Sequence, residues 1–215
     1  MKKRLLWLAT VFLVLSIIIA GSSVAALGRG HGQPENPLAR RVLQKSDLPE
    51  DSQGYYAEQL TADRFPGPPC PANIPLQVEG FLDGYEMNAW YPFVLQDSVS
   101  QGKQSVAFVL NVVYQYRDKV QSATALERQL EWFHKQDIAM DAKAEQVGYD
   151  ESLAAANGVH GSAMQLTYSQ EDHNWVTYWF FGVEGDTLML LMVDGLPDPA
   201  TQEVFDTLVA TIVQR

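Results

Sequence analysis

Aromatic side chains are the residues of this sequence best suited to bind a ligand. The segment HNWVTYWFFGVEGDTLMLLMVDG, residues 173–195, carries several of them beside a turn, and others lie in two earlier segments. Trp and Tyr combine a large apolar surface with one polar atom, so they pack in cores and also line binding grooves. We predict that a ligand would be bound by members of one set: Trp90, Tyr91, Trp175, Trp179, Tyr55 and Tyr56.

The sequence leaves open whether these aromatic residues lie in the protein core or at an accessible surface. Trp90, Tyr91, Trp175 and Trp179 fit a protein core as well as they fit a groove, because large aromatic side chains are most often buried. Tyr55 and Tyr56 lie in a Gly-flanked segment that is predicted to be irregular, so we expect them to be exposed.

Motifs of known catalytic sites are missing from the sequence. It contains no Gly-rich phosphate loop and no H-E-x-x-H, C-x-x-C or G-x-S-x-G motif. Asp194 and Asp198 are one candidate pair of carboxylates, although Asp198 is better explained as a helix cap. We therefore predict a protein that is not an enzyme and has no cofactor. A hydrolase with an unrecognised site is the least favoured alternative.

Histidine and cysteine offer few candidates for a metal site or a nucleophile. His160 and His173 flank one predicted strand, and with Glu171 and Asp172 they could form a surface metal site; ordinary turn residues are the favoured alternative, so no metal is predicted. Cys70 is the only cysteine and lies in the proline-rich segment PGPPCPANIP. Without a partner in the chain, it is either an unreactive thiol or a link to a second chain.

The charge distribution excludes one class of partner. The net charge is −11, and residues 145–214 contain no Lys or Arg. A nucleic-acid-binding surface needs the opposite sign, so no nucleic-acid partner is expected. The acidic region is interpreted as a solvated face that aids solubility, and a binding face for a cationic partner or divalent ions is the alternative.

The N-terminus predicts export. Three basic residues precede an apolar run that includes Leu5, Trp7, Phe12 and Ile19. Residues 1–27 are predicted to be a signal peptide or a hydrophobic helical anchor that enters the membrane through residues 5–27. The basic head places the rest of the chain outside the cytoplasm, tethered to the cell membrane or secreted after cleavage. Residues 28–37 read as a flexible tether and 38–215 as a single extracytoplasmic domain.

Periodicity predicts the elements that position the aromatic residues. Residues 105–114 alternate between two apolar faces, which is typical of a central strand covered on both sides. Residues 174–183 and 187–194 form a hairpin across Gly185, and a helix capped by Asp198 follows with a wide apolar stripe. A capping box at Thr124 and Glu127 predicts the start of an earlier helix. The predicted fold is α+β, a three-layer α/β/α sandwich over a mainly antiparallel sheet.

The closing stretch SAMQLTYSQEDHNWVTYWFFGVEGDTLMLLMVDGLPDPATQEVFDTLVATIV resembles the C-terminal half of PsbP-like and LpqN-like domains. In those domains a β-meander with an aromatic second strand leads into a helix that ends in an apolar pair. The resemblance covers residues 76–215 and implies a non-enzymatic accessory or ligand-binding role in an exported compartment. Many members are lipoproteins, whereas this chain has no cysteine directly after its apolar run, in residues 21–30. The resemblance carries no catalytic residues to positions of this sequence.

Composition, leader and resemblance together predict a membrane-tethered or exported accessory domain of the cell envelope. Its partner would be another envelope protein or a small apolar or cationic ligand, bound between the aromatic face and the proline-rich loop. A structural module that forms a homodimer through an open sheet face or edge is the alternative.

Overall fold

The computed structural model describes residues 36–50, 52, 54–60, 74–91, 105–139, 143–170 and 173–215. The seven strands are β1 (Gly54–Leu60), β2 (Phe81–Trp90), β3 (Val106–Tyr116), β4 (Lys143–Val147), β5 (His160–Gln170), β6 (His173–Glu184) and β7 (Thr187–Gly195). The α-helices are α1 (Lys119–Ala139), α2 (Glu151–Ala156) and α3 (Pro199–Ile212), and short 3-10 helices cover Pro37–Arg40, Lys45–Asp47 and Pro75–Gln77.

The strands form one sheet in the order β1-β2-β3-β7-β6-β5-β4. Every neighbouring pair is antiparallel. The β6–β7 hairpin turns at Gly185, whose φ of +57° is a conformation that glycine adopts without a steric penalty. The predicted α+β class, the antiparallel sheet and this hairpin are therefore confirmed.

Strand β3 shows how the sheet separates two hydrophobic clusters. Val109 and Val113 belong to the first core cluster, whereas Leu110 and Val112 belong to the second. Successive side chains of a strand point to opposite faces, so the two clusters lie on the two sides of the sheet. Val106 departs from the simple alternation and joins the first cluster, because the pairing of β3 with β7 shifts register between Val106 and Phe108.

Helix α3 is packed on the first cluster. Asp198 caps it through a hydrogen bond that its side chain accepts from the Ala200 N–H at 2.8 Å, and Pro199 is its first residue. The buried residues of its apolar stripe are Phe205, Leu208, Val209, Ile212 and Val213. The predicted cap and stripe are both confirmed.

Helix α1 is packed on the second cluster. Its fully buried Phe133 lies 5.3 Å from the ring of Trp179 and 5.2 Å from that of Phe181 on β6. Near its start, Ser122 donates to the carbonyl of Gly185 at 2.8 Å, which fixes this end of the helix beside the β6–β7 turn.

Several predicted details are wrong. Helix α1 begins at Lys119 and not at Thr124, because Asp118 accepts hydrogen bonds from the N–H groups of Val120 and Gln121 and so starts the helix earlier. The dipeptide Asp83-Gly84 predicts a turn that divides residues 76–99 into two strands, but strand β2 runs through Gly84 and only shifts register after Phe81. Tyr55 and Tyr56 lie on strand β1, where pairing with β2 fixes a segment predicted to be irregular.

The predicted N-terminal helix and its residues Leu5, Trp7, Phe12 and Ile19 lie outside the described residues. So does Cys70 in the proline-rich loop. Among the helices that the structure describes, none combines the length and the apolar character that crossing a membrane requires.

Asn111 joins the N-terminal segment to the sheet. Its side chain is fully buried, accepts a hydrogen bond from the Leu43 N–H at 2.8 Å and donates to the Leu190 carbonyl at 2.9 Å. Val42 and Leu43, which are also fully buried, pack in the first cluster.

Replacing Asn111 by alanine should lower the free energy of unfolding by about 1–3 kcal/mol, because the Leu43 N–H then stays buried without an acceptor. Urea denaturation of the full chain measures the change. Asn157→Ala is the matched control, since Asn157 is exposed and donates only to Leu153 in its own helical turn. Equal losses in the two variants would contradict the bridging role of Asn111.

Candidate functional site

Strand β6 distributes its aromatic residues over both faces of the sheet. Tyr178 and Phe180 are buried in the first cluster, and Trp179 and Phe181 in the second. The rings of Trp179 and Phe181 stack at 6.0 Å between centroids. Most aromatic residues of this strand are therefore core residues, and only Trp175, near its start, is partly exposed.

The residues predicted to bind a ligand divide between the two faces. Strand parity and pairing place Tyr56, Trp90, Trp175 and Trp179 on the face of the second cluster. Tyr55 and Tyr91 belong to the opposite side, with the first cluster. The sheet therefore separates these six residues, which the sequence predicts as one set, into two groups.

Tyr55 and Tyr91 take part in the packing of the first cluster. The hydroxyl of Tyr55 donates to the Leu43 carbonyl at 3.2 Å. Tyr91 is buried, and burial raises the pKa of its phenol to about 12. Its N–H donates to the Ala107 carbonyl at 3.0 Å, extending the pairing of β2 with β3.

A row of side chains, partly accessible except for the buried Thr177, crosses the other face. Directly paired residues bring Trp90 next to Phe108, Phe108 next to Asp194, and Asp194 next to Thr177. Trp175 and its partner Tyr168 lie two residues further along β6 and β5, on the same face. We call these six residues the aromatic row: Trp90, Phe108, Asp194, Thr177, Tyr168 and Trp175. From β2 to β6 it spans three strand spacings, or roughly 14 Å.

Most of the aromatic row is accessible to solvent. Trp90 is 42% exposed, and Phe108, Asp194, Tyr168 and Trp175 are partly exposed. Toward the β6–β7 turn the face is closed by α1, whose Phe133 packs on Trp179 and Phe181. The row begins at the pair of Thr177 with Asp194, which is the next pair on this face after that of Trp179 with Met192.

Asp194 is the electrostatic centre of the row. Its Oδ1 accepts hydrogen bonds from Thr177 Oγ1 at 2.7 Å and from Tyr168 Oη at 3.2 Å. Although part of the residue is accessible, its carboxyl group is enclosed, and this burial raises its pKa to about 6. The two hydrogen bonds lower the pKa but do not outweigh burial. Burial also raises the pKa of Tyr168.

Two buried polar atoms flank the row. Asn88 lies two residues before Trp90 and Trp179 two residues after Thr177, on the same face as the row. Both residues are more than nine-tenths buried. Within the described part of the chain, the Asn88 Oδ1 and Trp179 Nε1 atoms have no hydrogen-bond partner. Buried polar atoms of native proteins nearly always have a partner, so these two atoms have a hydrogen-bonding capacity that the described residues leave unused.

The sequence showed part of this site. The sequence gives Asp194 as a member of a candidate pair of carboxylates with Asp198. In the structure Asp198 caps α3 and is not part of the site. The Asp194 partners Tyr168 and Thr177 were missed, because only the register of β5, β6 and β7 brings them together. A usable signal was Asp194 itself, a charged residue at the end of the apolar run TLMLLMVD.

The structure keeps His160 and His173 apart, which removes the less favoured alternative of a metal site that contains both. His160 pairs with Val183 and His173 with Gln170, at opposite ends of the β5–β6 pair. The ten residues between these ends correspond to roughly 34 Å of strand. Glu171 and Asp172 lie outside the described residues. The described residues contain no group of three His, Cys, Asp or Glu side chains that could hold a metal ion.

Comparison with known proteins gives a likeness at the level of the fold. No protein-family model matches the chain, and no curated protein matches it either. A solved structure, the extracellular domain of PknH from Mycobacterium tuberculosis, aligns with a TM-score of 0.51 and 8% sequence identity. The alignment covers 86% of this chain and 100% of that domain. The chain thus has a fold that an extracellular domain also uses, while the resemblance to PsbP-like and LpqN-like domains is not confirmed.

Proposed function

We propose that this protein is a non-enzymatic accessory domain of the cell envelope that binds a small ligand at the aromatic row. Residues 1–27 would tether it to the membrane or direct its secretion, and the domain would lie outside the cytoplasm. The fold shared with an extracellular domain supports this location. The packing of α1 and α3 on opposite faces supports the finer description as a three-layer sandwich.

The enclosed Asp194 carboxyl beside accessible aromatic rings is the observation that carries the proposal. A buried carboxyl with a strongly raised pKa destabilises the ionised folded state, so its presence needs a reason other than stability. Trp90 and Phe108 on one side of it and Trp175 on the other supply apolar surface for a ligand.

The chemistry of the row defines a ligand class. The ligand would place a flat apolar face on Trp90 or Trp175 and direct a hydrogen-bond donor toward Asp194. Asn88 Oδ1 and Trp179 Nε1 would pair with further polar groups of the same molecule. This arrangement needs no chemical step, and the absence of catalysis stays a prediction.

Native mass spectrometry of the full chain extracted from the membrane fraction of its own host tests the proposal. We expect the wild-type chain to carry a small molecule and Trp90→Ala to lose at least four-fifths of it. Leu82→Ala is the matched control, because Leu82 is also a large exposed apolar residue of β2, 59% exposed, but lies at the other end of the strand. This variant should keep the ligand.

Two outcomes would contradict this function. One is a chain that carries no small molecule, and the other is equal ligand loss in Trp90→Ala and Leu82→Ala. The intact mass of the same sample also shows whether residues 1–27 remain attached.

Self-assembly is a second candidate function, favoured by the edges of the sheet. Strand β1 ends the sheet and carries Tyr55 and Tyr56, while β4 ends it on the other side and carries Lys143 and Glu145. Charges on an edge strand oppose pairing with another chain, and β1 carries one charged residue, Glu58, against two on the shorter β4, so β1 is the edge better suited to a homodimer. A dimer mass in the same spectra, without a small molecule, would favour this candidate.

A further inference from the structure

A cavity of about 360 Å³ lies between α2 and α3, on the side of the sheet opposite the aromatic row. Its apolar surface is supplied by Val209 of α3, by Val213 directly after that helix and by Leu153 of α2. Tyr149 forms part of its wall, and Asp150 and Asp206 are exposed on its rim. Its volume falls within the range of small-molecule sites, which are mostly apolar with a few polar groups.

Hydrogen bonds and ring packing fix the shape of this cavity. The Tyr149 hydroxyl donates to the Gly161 carbonyl at 3.0 Å, and its ring lies 5.1 Å from that of Phe180. Asp150 caps α2 by accepting from the Leu153 N–H at 2.8 Å through Oδ1. This bond uses one carboxylate oxygen of Asp150, and the negative charge of the carboxylate remains at the rim of the cavity.

The electrostatic environment of the cavity is negative. Desolvation raises the pKa of Asp206, and the Asp206 charge in turn adds to burial in raising the pKa of Tyr178. The pKa of Tyr149 is raised by burial and then by the charge of Glu151. Residues 145–214 contribute no Lys or Arg that could neutralise these carboxylates.

The nearest cation along the chain is directed elsewhere. Arg215 follows Val213 of the cavity wall, but its guanidinium forms an ion pair with Asp47. It also donates to the backbone carbonyls of Arg40 at 3.1 Å and Val42 at 3.3 Å. Within the described part of the chain, neither Asp150 nor Asp206 forms an ion pair, so both rim carboxylates can accept a cation that is not part of it.

We infer that this cavity binds an organic ammonium ion with an apolar body. The ammonium group lies between Asp150 and Asp206, and the apolar body packs on Val209, Val213 and Leu153. An anionic ligand is excluded by charge, and a bare metal ion would leave the apolar wall unused. The site is independent of the aromatic row, because the sheet separates the two.

Phenethylammonium and its neutral analogue 2-phenylethanol test the inference, since they share the apolar body and differ in charge. Titration of the full chain followed by ligand-observed NMR should give a dissociation constant at least fivefold lower for phenethylammonium. Raising the salt concentration should weaken its binding, because the carboxylates are at the surface. Equal affinity for the two compounds would overturn the inference.

Matched variants locate the site. Asp206→Asn should weaken phenethylammonium binding at least fivefold, whereas Glu203→Gln should leave it unchanged. Glu203 is exposed on the same helix but is not part of the cavity wall, so it controls for net charge. Ala210→Leu, which adds bulk to the wall, should weaken both probes.

Thermal melts establish that each variant is folded before it is titrated. Equal losses in Asp206→Asn and Glu203→Gln would show only a general charge effect and overturn the site. Asp194→Asn should leave phenethylammonium binding unchanged, so this inference and the proposed function fail separately.

Discussion

Replacing Asp194 by asparagine is expected to stabilise the protein at pH 7.5 and to leave its stability almost unchanged at pH 4. Burial raises the pKa of Asp194 from 3.8 to about 6, so the folded state binds this proton more tightly than the unfolded state does. Stability is therefore lost as pH rises between about 4 and 6 and stays lower above that range. A shift of about two pKa units corresponds to about 3 kcal/mol.

Asparagine is the suitable replacement because it keeps the acceptor and removes the charge. Thr177 and Tyr168 both donate to Oδ1 of Asp194, and the amide oxygen of asparagine can accept the same two bonds. At pH 4 the wild-type carboxyl is mostly protonated and neutral in the folded state, so the two proteins then differ little.

Thermal unfolding of the full chain at pH 7.5 and pH 4 measures this difference. About 2–4 °C per kcal/mol is typical for a domain of this size, so we expect the midpoint to rise by roughly 6–12 °C at pH 7.5. Asp198→Asn is the control, because asparagine caps a helix about as well as aspartate does. A rise of the same size at both pH values would show that the charge of Asp194 is not the cause.

A stabilising Asp194→Asn substitution would also bear on function. Proteins often keep residues at functional sites that reduce stability, and replacing them increases stability while function is lost. The substitution should therefore reduce the amount of ligand that co-purifies with the chain, in addition to raising the unfolding midpoint.

The C-terminal third was predictable because its signals are local and strong. The strands around Gly185 alternate or are continuously apolar, and the apolar stripe of α3 has helical periodicity and follows the cap at Asp198 and Pro199. Each of these features depends on residues that are close to one another in the sequence. The structure has them where the sequence predicts them.

The edge strands were missed because they lack a buried face. β1, with the sequence GYYAEQL, is mostly half-buried, and β4, with the sequence KAEQV, is largely polar. Pairing with β2 and β5 makes them strands, and this pairing is a tertiary interaction that period-2 patterning does not detect.

The site was only half predictable for a related reason. Parity along β6 gives the face of Trp175, Thr177 and Trp179 from sequence alone. Which of them stays accessible depends on how far α1 covers that face, and this is set by contacts such as Phe133 with Trp179. The meeting of Asp194 with Tyr168, 26 residues away, depends on the register of three strands.

Replacing Phe205 by alanine is expected to be more destabilising than any other substitution proposed for this chain, by about 3–5 kcal/mol. Phe205 is fully buried, and its ring stacks on that of Tyr178 with centroids 5.2 Å apart. It is the large residue through which α3 contacts β6. Removal of the ring leaves a cavity that the adjacent Leu208 and Val209 can only partly fill.

Val204→Ala is the matched control for Phe205→Ala in urea denaturation. Val204 precedes Phe205 on the same helix but is only partly buried, and alanine favours helix, so the loss should stay below about 1 kcal/mol. Equal losses would mean that the Phe205 ring does not hold α3 on the sheet.

The position of α3 also sets the distance between Val209 and Leu153 across the cavity. A folded Phe205→Ala protein should therefore bind phenethylammonium more weakly, although Phe205 is not part of the cavity wall.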